Sequence, residues 1–246
     1  MRLEREGTTA WIRWSRPDRL NAFDRASLEA LGDLLAEAAS GDARAIVCFG
    51  EEGAFSAGDD LRETATLSPS EWARAIESFN RLTREVVAAP QPVIAAVDGV
   101  CVGGSFEFAF ACDVRVATPR SRLGCPEVAV GLSISNGFSL LAPRAARRLV
   151  LTGELVDARD ALRMGVIDIV ADDAEEEARR IAERIATLAP LAVSASKRLL
   201  DEGERDALER ALQREADLCT RLFETDDARE GLAAFLEKRR ARFTGR

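Results

Sequence analysis

The stretch 97–113, V-D-G-V-C-V-G-G-S-F-E-F-A-F-A-C-D, holds one residue at odds with its surroundings. Glu107 is the only charged side chain between Asp98 and Asp113, set among Val100, Cys101, Val102, Phe106, Phe108, Ala109, Phe110 and Ala111. Burying an isolated carboxylate costs on the order of several kcal/mol unless it is paired or kept neutral. Gly103, Gly104 and Ser105 precede it as a loop-to-helix entry, which leaves backbone N–H groups unpaired. With a helix starting near Gly104, Glu107 sits one turn in, on the face of the Gly104 N–H. Such a group is a candidate acid or base beside an anion hole; the competing reading is a glutamate paired structurally with a distant arginine.

Two further motifs carry related ingredients. In A-F-S-A-G-D-D-L, Gly58 permits a backbone geometry that turns the Asp59 N–H into a cleft, although most Gly-Asp loops are simply turns. L-G-C-P-E-V places Glu127 directly after a proline and between apolar segments. A glutamate there serves equally well as a first-turn residue complementing a helix dipole.

The absences narrow the chemistry. Histidine and tyrosine are missing altogether. That excludes Ser-His-Asp and Cys-His catalysis and every histidine metal site. Acid–base work falls to carboxylates, backbone amides or one of the two lysines, Lys197 and Lys238. The five cysteines are odd in number, scattered and without C-x-x-C, which predicts reduced thiols, a cytoplasmic location and no zinc site. A net charge of −8 with no basic run before the C-terminus argues against nucleic acid as the main partner. No apolar run approaches the roughly 18–20 residues that span a membrane. The start, M-R-L-E-R-E-G, lacks the apolar core of a signal peptide.

These groups need elements to position them. At 246 residues and 47% hydrophobic composition the chain can form one large domain, or one domain with an appendage. Residues 8–14, T-T-A-W-I-R-W, alternate as a strand, with Trp11 and Trp14 read as core. Asp24 caps a predicted helix over 25–39, whose Leu28, Leu31, Leu34 and Leu35 form one stripe. A-I-V-C-F and P-V-I-A-A-V read as buried strands on either side of a helix over 71–88, capped by Ser70. Short strands follow at 113–117 and 121–123, so strand–loop–helix units with crossover connections imply an α/β core. From 157 the pattern turns helical: 157–164, 174–188, 191–200, 205–223 and 225–242, interrupted by a strand near 166–170. Leu232, Phe235 and Leu236 share a face of the last helix.

Taken together, the three motifs resemble the enoyl-CoA hydratase/isomerase (crotonase) family, from R-P-D-R-L-N-A-F to E-G-L-A-A-F-L-E-K-R-R-A-R-F and in family order. The resemblance implies a crotonase-type spiral of ββα units over 1–190 and a C-terminal helical oligomerisation region over 191–246. It further implies a homotrimer or a hexamer built as a dimer of trimers. The implied substrate is an acyl-CoA thioester, with no metal or redox cofactor and coenzyme A entering only as part of the substrate. Carried over position by position, the two oxyanion-hole amides fall on Asp59 and Gly104, and the hydratases' two glutamates on Glu107 and Glu127. Ala57, Gly58, Asp59, Asp60 and Leu61 would line the adenine and pantetheine path beside Gly103 and Gly104. Lys238 matches a lysine that can meet the CoA phosphates, sometimes from a neighbouring subunit, with Arg16 and Arg19 as further candidates.

The implied reaction is hydration of a trans-2-enoyl-CoA; isomerases of the family generally manage with one glutamate, at the position of Glu127, and a hydrolase or a silent acyl-CoA binder would share the fold. Three departures from the family pattern stand out. Ser105 replaces the third glycine, Asp59 stands where hydratases commonly carry alanine, and S-I-S-N-G-F-S replaces Pro-Gly-x-Gly-Gly. All are expected on the acyl-pocket wall, followed by a shortened helix over 136–150.

Overall fold

The runs A-I-V-C-F-G and V-I-A-A-V become neighbouring parallel strands, almost wholly buried. Parallel strands covered on both faces need continuous apolar sequence, and these two supply it. The computed structural model describes residues 1–203 and 205–246. Its strands are β1 (Arg2–Glu6), β2 (Thr9–Trp14), β3 (Ala45–Gly50), β4 (Ala54–Ser56) and β5 (Val93–Val97). They continue as β6 (Val100–Val102), β7 (Val114–Ala117), β8 (Arg122–Gly124), β9 (Val156–Asp157) and β10 (Ile169–Val170). One sheet has the order β1-β2-β3-β5-β7-β10 and the other β4-β6-β8-β9. Only β1–β2 and β8–β9 pair antiparallel among the described strands.

Three times in succession the chain lays one strand in each sheet: β3 then β4, β5 then β6, β7 then β8. That alternation is the ββα spiral the sequence led us to expect. Gly50, between β3 and β4, is where the chain crosses between sheets, and a Cβ there would stand 2.3 Å from the Phe55 carbonyl oxygen.

Between and after the strands lie α1 (Arg25–Ser40), α2 (Leu61–Thr64), α3 (Pro69–Ala88), α4 (Gly104–Ala111), α5 (Phe138–Leu141) and α6 (Arg147–Thr152). The C-terminal part adds α7 (Ala158–Arg163), α8 (Ala174–Ala186), α9 (Pro190–Glu202), α10 (Arg205–Phe223) and α11 (Asp226–Leu236). The main core fills the space between the sheets and α1, α3 and α4, with Leu28, Leu31, Leu35, Phe79, Leu82 and Phe106 at its centre. On the other face of the large sheet, Ala174, Ala178 and Ala182 of α8 pack on Trp11, Val47 and Ile94. A third cluster joins α3 to α10 and α11 through Trp72, Ile76, Cys219, Phe223 and Leu232.

Several local expectations are corrected. α3 is capped by Ser68, not Ser70: Ser68 and Glu71 form a reciprocal capping box. Pro69 then takes the first helical position, where its missing N–H costs nothing. β2 does not alternate, because all six residues are buried. Arg13 is accommodated there by Glu4 at 2.9 Å, Glu175 at 2.8 Å and the Trp11 ring 4.4 Å from its guanidinium carbon. The strand near 166–170 shrinks to Ile169–Val170. The last helix stops at Leu236 and the chain turns back through Lys238 at φ +55. Asp227 then receives the Thr244 and Gly245 amides at 2.6 and 2.8 Å, so the tail folds onto the start of α11. Leu232 is buried as expected, whereas Phe235 and Leu236 are exposed.

Candidate active site

The loop after β4 and the loop after β6 are the paired ends of neighbouring parallel strands, and they meet at their glycines. Gly58 takes φ +79, and a Cβ on it would stand 2.6 Å from the Val102 carbonyl oxygen and 3.4 Å from the Gly104 nitrogen. Only a residue without a side chain lets the two backbones approach so closely. Gly104 opens α4, and a Cβ there would strike the Phe79 ring at 2.7 Å. Phe79 is fixed in turn by an edge contact to Phe23, and Phe23 by one to Trp14. The Gly104 N–H has no acceptor among the described residues, and the Asp59 N–H has none beyond its own carboxylate, so neither is tied up by another residue. Ser105 does not reach the cavity: its hydroxyl is buried between the Ser56 and Val102 carbonyls, 2.8 Å from each.

Glu107 projects from the first turn of α4 with 1% of its surface exposed. Its Oε1 accepts from the Ser135 N–H at 3.0 Å, and its Oε2 from the Ser135 hydroxyl at 2.9 Å and Asn136 Nδ2 at 2.8 Å. Among the described residues no arginine pairs with it. Glu127 begins a 3-10 turn over Glu127–Val130, directly after β8 and Pro126. The residue is partly exposed, yet both carboxylate oxygens are shielded from solvent and have no hydrogen-bond partner in any other described residue. Oε1 lies 3.3 Å from the place a Cβ on Gly103 would occupy. One oxygen of Glu107, one of Glu127 and the sulfur of Cys125 all lie within 4.8 Å of one another. A water bonded to both carboxylates at ~2.7 Å spans about that separation. A metal ion there would compete with the donors already bound to Glu107.

Burial, and then the nearby Glu127, push the Glu107 carboxyl well above the usual carboxylate range, against the pull of the Ser135 donors. Burial pushes Glu127 up to about 8 and Asp59 up to about 7. Asp59 turns its carboxyl toward α4, with Oδ2 3.2 Å from the position of a Cβ on Gly104. Burial thus raises the proton affinity of all three carboxyls. Two carboxylates that interact this strongly titrate as a unit, so the first charge to form belongs to the pair and the donors around each decide where it rests.

A cavity of about 660 Å³ opens over this pair. Ala57, Asp59, Asp60, Leu61, Gly103 and Glu127 line it, as does Arg19 from the early turn. Gly58 and Gly104 supply backbone behind those residues, and Glu107 lies one layer deeper. Val130, Leu132 and Leu155 give the cavity an apolar wall, while Arg62 and Arg239 add cations.

Other expected groups lie elsewhere. Arg16 is held by the Ala22 carbonyl at 2.6 Å and by Asp60 at 3.2 Å. Lys238 is exposed and does not line the cavity of its own chain, whereas the neighbouring Arg239 does, at the cavity's exposed rim. Lys197 is no acid–base group: its Nζ is buried on the Val86 and Gln91 carbonyls and on Asp113 at 2.7 Å. The segment expected on the acyl-pocket wall, S-I-S-N-G, instead packs behind Glu107 through Ser135 and Asn136. Short helices, α5 and α6, replace the single helix expected after it.

Sequence reasoning missed Ser135, Asn136 and Glu215. Two signals were present: Asn-Gly marks a left-handed turn, which Asn136 makes at φ +60. Glu215 also falls on the buried stripe of α10 with Leu208, Ala211, Leu212 and Cys219, a helical spacing that places a charge inside.

A spiral of ββα units defines a crotonase-type fold, and the comparisons agree with that fold. A family model described as enoyl-CoA hydratase/isomerase matches residues 4–246. A crotonyl-CoA hydratase of Syntrophomonas wolfei is 34% identical over 98% of this chain and 96% of its own length. A 2,3-dehydroadipyl-CoA hydratase of Escherichia coli K12 is 36% identical over 94% and 93%. The crystal structure of an enoyl-CoA hydratase from Mycobacterium avium subsp. paratuberculosis superposes with a TM-score of 0.89 at 27% identity, covering 99% of this chain and 98% of that one. This chain belongs to the enoyl-CoA hydratase/isomerase family.

Proposed function

We propose that the protein is an enoyl-CoA hydratase that adds water across the 2,3 double bond of a trans-2-enoyl-CoA thioester. The observation that carries this reading is the approach of Glu107 and Glu127 to within 4.8 Å below two amides tied up by no other residue. The thioester oxygen is bound by the Asp59 and Gly104 N–H groups, which stabilise the enolate as charge develops. Removing one such donor typically costs ~10²–10³ in rate. A water held between the two glutamates attacks C3 and gives its proton to Glu107. Glu127, pushed up to about 8 by burial, still holds a proton at neutral pH and delivers it to C2. The net change is one H₂O added. The proton then passes from Glu107 to Glu127 through the incoming water, which resets the pair. The apolar wall receives the acyl chain, and Ala57, Asp60, Leu61 and the arginines flank the CoA moiety. The steps draw on no metal or redox cofactor; coenzyme A is part of the substrate.

Two retained glutamates favour hydration over isomerisation. Loss of the thioester-enone absorbance of crotonyl-CoA measures turnover directly. Pure folded protein that hydrates no enoyl-CoA of any chain length would overturn the reading. A Glu107→Gln variant that keeps activity on a 3-enoyl-CoA would assign isomerisation instead. We further propose a catalytic unit over 1–190 and an oligomerisation region over 191–246, giving a homotrimer or a dimer of trimers. Exposed Leu191, Leu199 and Leu200 on α9 support this, and sedimentation velocity tests it. A cytoplasmic location is supported by five buried, unpaired cysteines; no helix among the described residues is long and apolar enough to cross a membrane.

A further inference from the structure

We propose that Ser135 and Asn136, anchored from α10 by Glu215, are positioning residues that hold Glu107 in its charged form and so decide which glutamate acts as base. The inference rests on the hydratase reading and extends it to residues outside the reacting pair.

The two glutamates are close, buried and chemically alike, so their roles must come from their surroundings. Glu107 receives three donors: the Ser135 amide at 3.0 Å, the Ser135 hydroxyl at 2.9 Å and the Asn136 amide at 2.8 Å. Glu127 receives none from any other described residue. Hydrogen bonds to an ionised carboxylate are roughly twice as strong as neutral ones, and each favours the charged form. Sharing one charge, the pair therefore places it on Glu107 and leaves the proton on Glu127. Oε1 of Glu107 accepts a single bond and keeps a lone pair for the water; Oε2 is taken twice. The other titratable groups facing Glu107 are Cys125, at the end of β8, and Glu215 and Cys219 of α10, none of them cationic. No positive charge competes with the donors for this role.

The donors are themselves held from two sides. The Asn136 carbonyl accepts from the Thr83 hydroxyl of α3 at 3.0 Å. The Gly137 and Ser139 amides donate to Glu215 at 2.7 and 2.9 Å, and the Cys219 thiol reaches the Ser133 and Ile134 carbonyls at 3.3 and 3.4 Å. Glu215 is buried and makes no ion pair among the described residues, which is a costly way to fasten a loop. A positioning role gives that cost a purpose. Ser135 Oγ also lies 3.0 Å from Asn136 Oδ1. Once Glu107 has taken a proton, the hydroxyl can turn to Asn136, so the cradle stays paired in both states of the base.

Asn136→Gly tests this in the full-length protein, because glycine accepts the left-handed backbone while the variant loses the donor to Glu107, its longer contact to the Gly104 carbonyl at 3.4 Å and the acceptor offered to the Ser135 hydroxyl. On crotonyl-CoA, kcat should fall ~10–100-fold, the range typical of lost outer-shell partners, with KM moved far less. The acidic limb of kcat/KM should shift to higher pH. Ser135→Ala keeps its backbone donor and should do the same to a smaller extent. A readout independent of turnover is infrared difference spectroscopy against Glu107→Gln, in which the protonated-carboxyl band of Glu107 should persist to higher pH in both variants. An unchanged carboxyl titration in a folded variant of either kind overturns the proposal, as does an unchanged kcat and acidic limb in Asn136→Gly. Should the wild-type protein hydrate no enoyl-CoA, the hydratase reading fails, and the infrared titration alone decides on the cradle.

Discussion

Two of the places where this molecule buries charge do so in opposite ways. At the foot of α9, Lys197 meets Asp113 at 2.7 Å and two backbone carbonyls, while Asp113 also takes the Val93 amide at 2.7 Å. Each ion there is compensated, and the result is a pin that ties α9 to the edge of β5. Around Glu127 the arrangement is inverted: its two shielded oxygens have no donor in any other described residue, and Asp59 and Glu107 stand nearby as further acids. A fully paired buried ion is structural, whereas an unpaired one is held in readiness for something absent. The contrast separates the residues that fold this chain from those that act in it.

The sharpest break in that contrast comes from Glu127→Gln. Hydration should fall ~10²–10⁴-fold, as expected on losing a general acid, while the folded state is as stable as before or more so at pH 8. Steady-state kinetics with a parallel urea melt measure both. Lys197→Met should give the mirror image: a loss of about 3 kcal/mol in the same melt, from leaving Asp113 and two carbonyls unpaired. That lies at the low end for broken buried pairs because Asp113 is partly exposed. Its KM and the pH dependence of its kcat should match the wild type.

A smaller effect is expected at Asp59. Burial pushes its carboxyl up to about 7, so above that pH an anion forms beside the developing enolate and opposes it. Asp59→Ala keeps the amide and removes the acid. The alkaline fall in kcat should then move from near 7 toward the titration of Glu127 at about 8. A pH–rate profile identical to the wild type would show that the side chain has no part in the reaction.

The remaining expected effect is on the pH dependence of stability. Between its ordinary pKa and about 8, Glu127 keeps its proton in the folded state and loses it in the unfolded chain. The unfolded state then binds fewer protons, so stability falls as pH rises across that window and levels off above it. Urea midpoints measured from pH 5 to pH 9 should show the slope, and Glu127→Gln should flatten it.

The sequence disclosed parts of this picture unevenly. Glu107 was legible because one charge among phenylalanines contradicts its own helix. The buried strands were legible as well, since parallel strands covered on both faces demand unbroken apolar runs. Glu127 was not distinguishable from a first-turn residue until the fold carried it across to α4. Lys197 read as a possible base because nothing local shows that Asp113, 84 positions earlier, waits for it. Ser135 and Asn136 were expected on the acyl wall, yet α10 and α3 draw that segment behind Glu107.

What the chain alone determined are the properties carried by single residues and by near neighbours. These are the absence of histidine, the helix entry at Gly104, the close turn at Gly58 and the family pattern of three motifs. Which carboxyls meet, which stays bare and which is cradled depended on strands β4, β6 and β8 pairing in parallel and on α10 returning to the core. Those contacts join residues tens of positions apart, and the energy of a carboxylate is set by the donors and water around it, not by its neighbours in the chain.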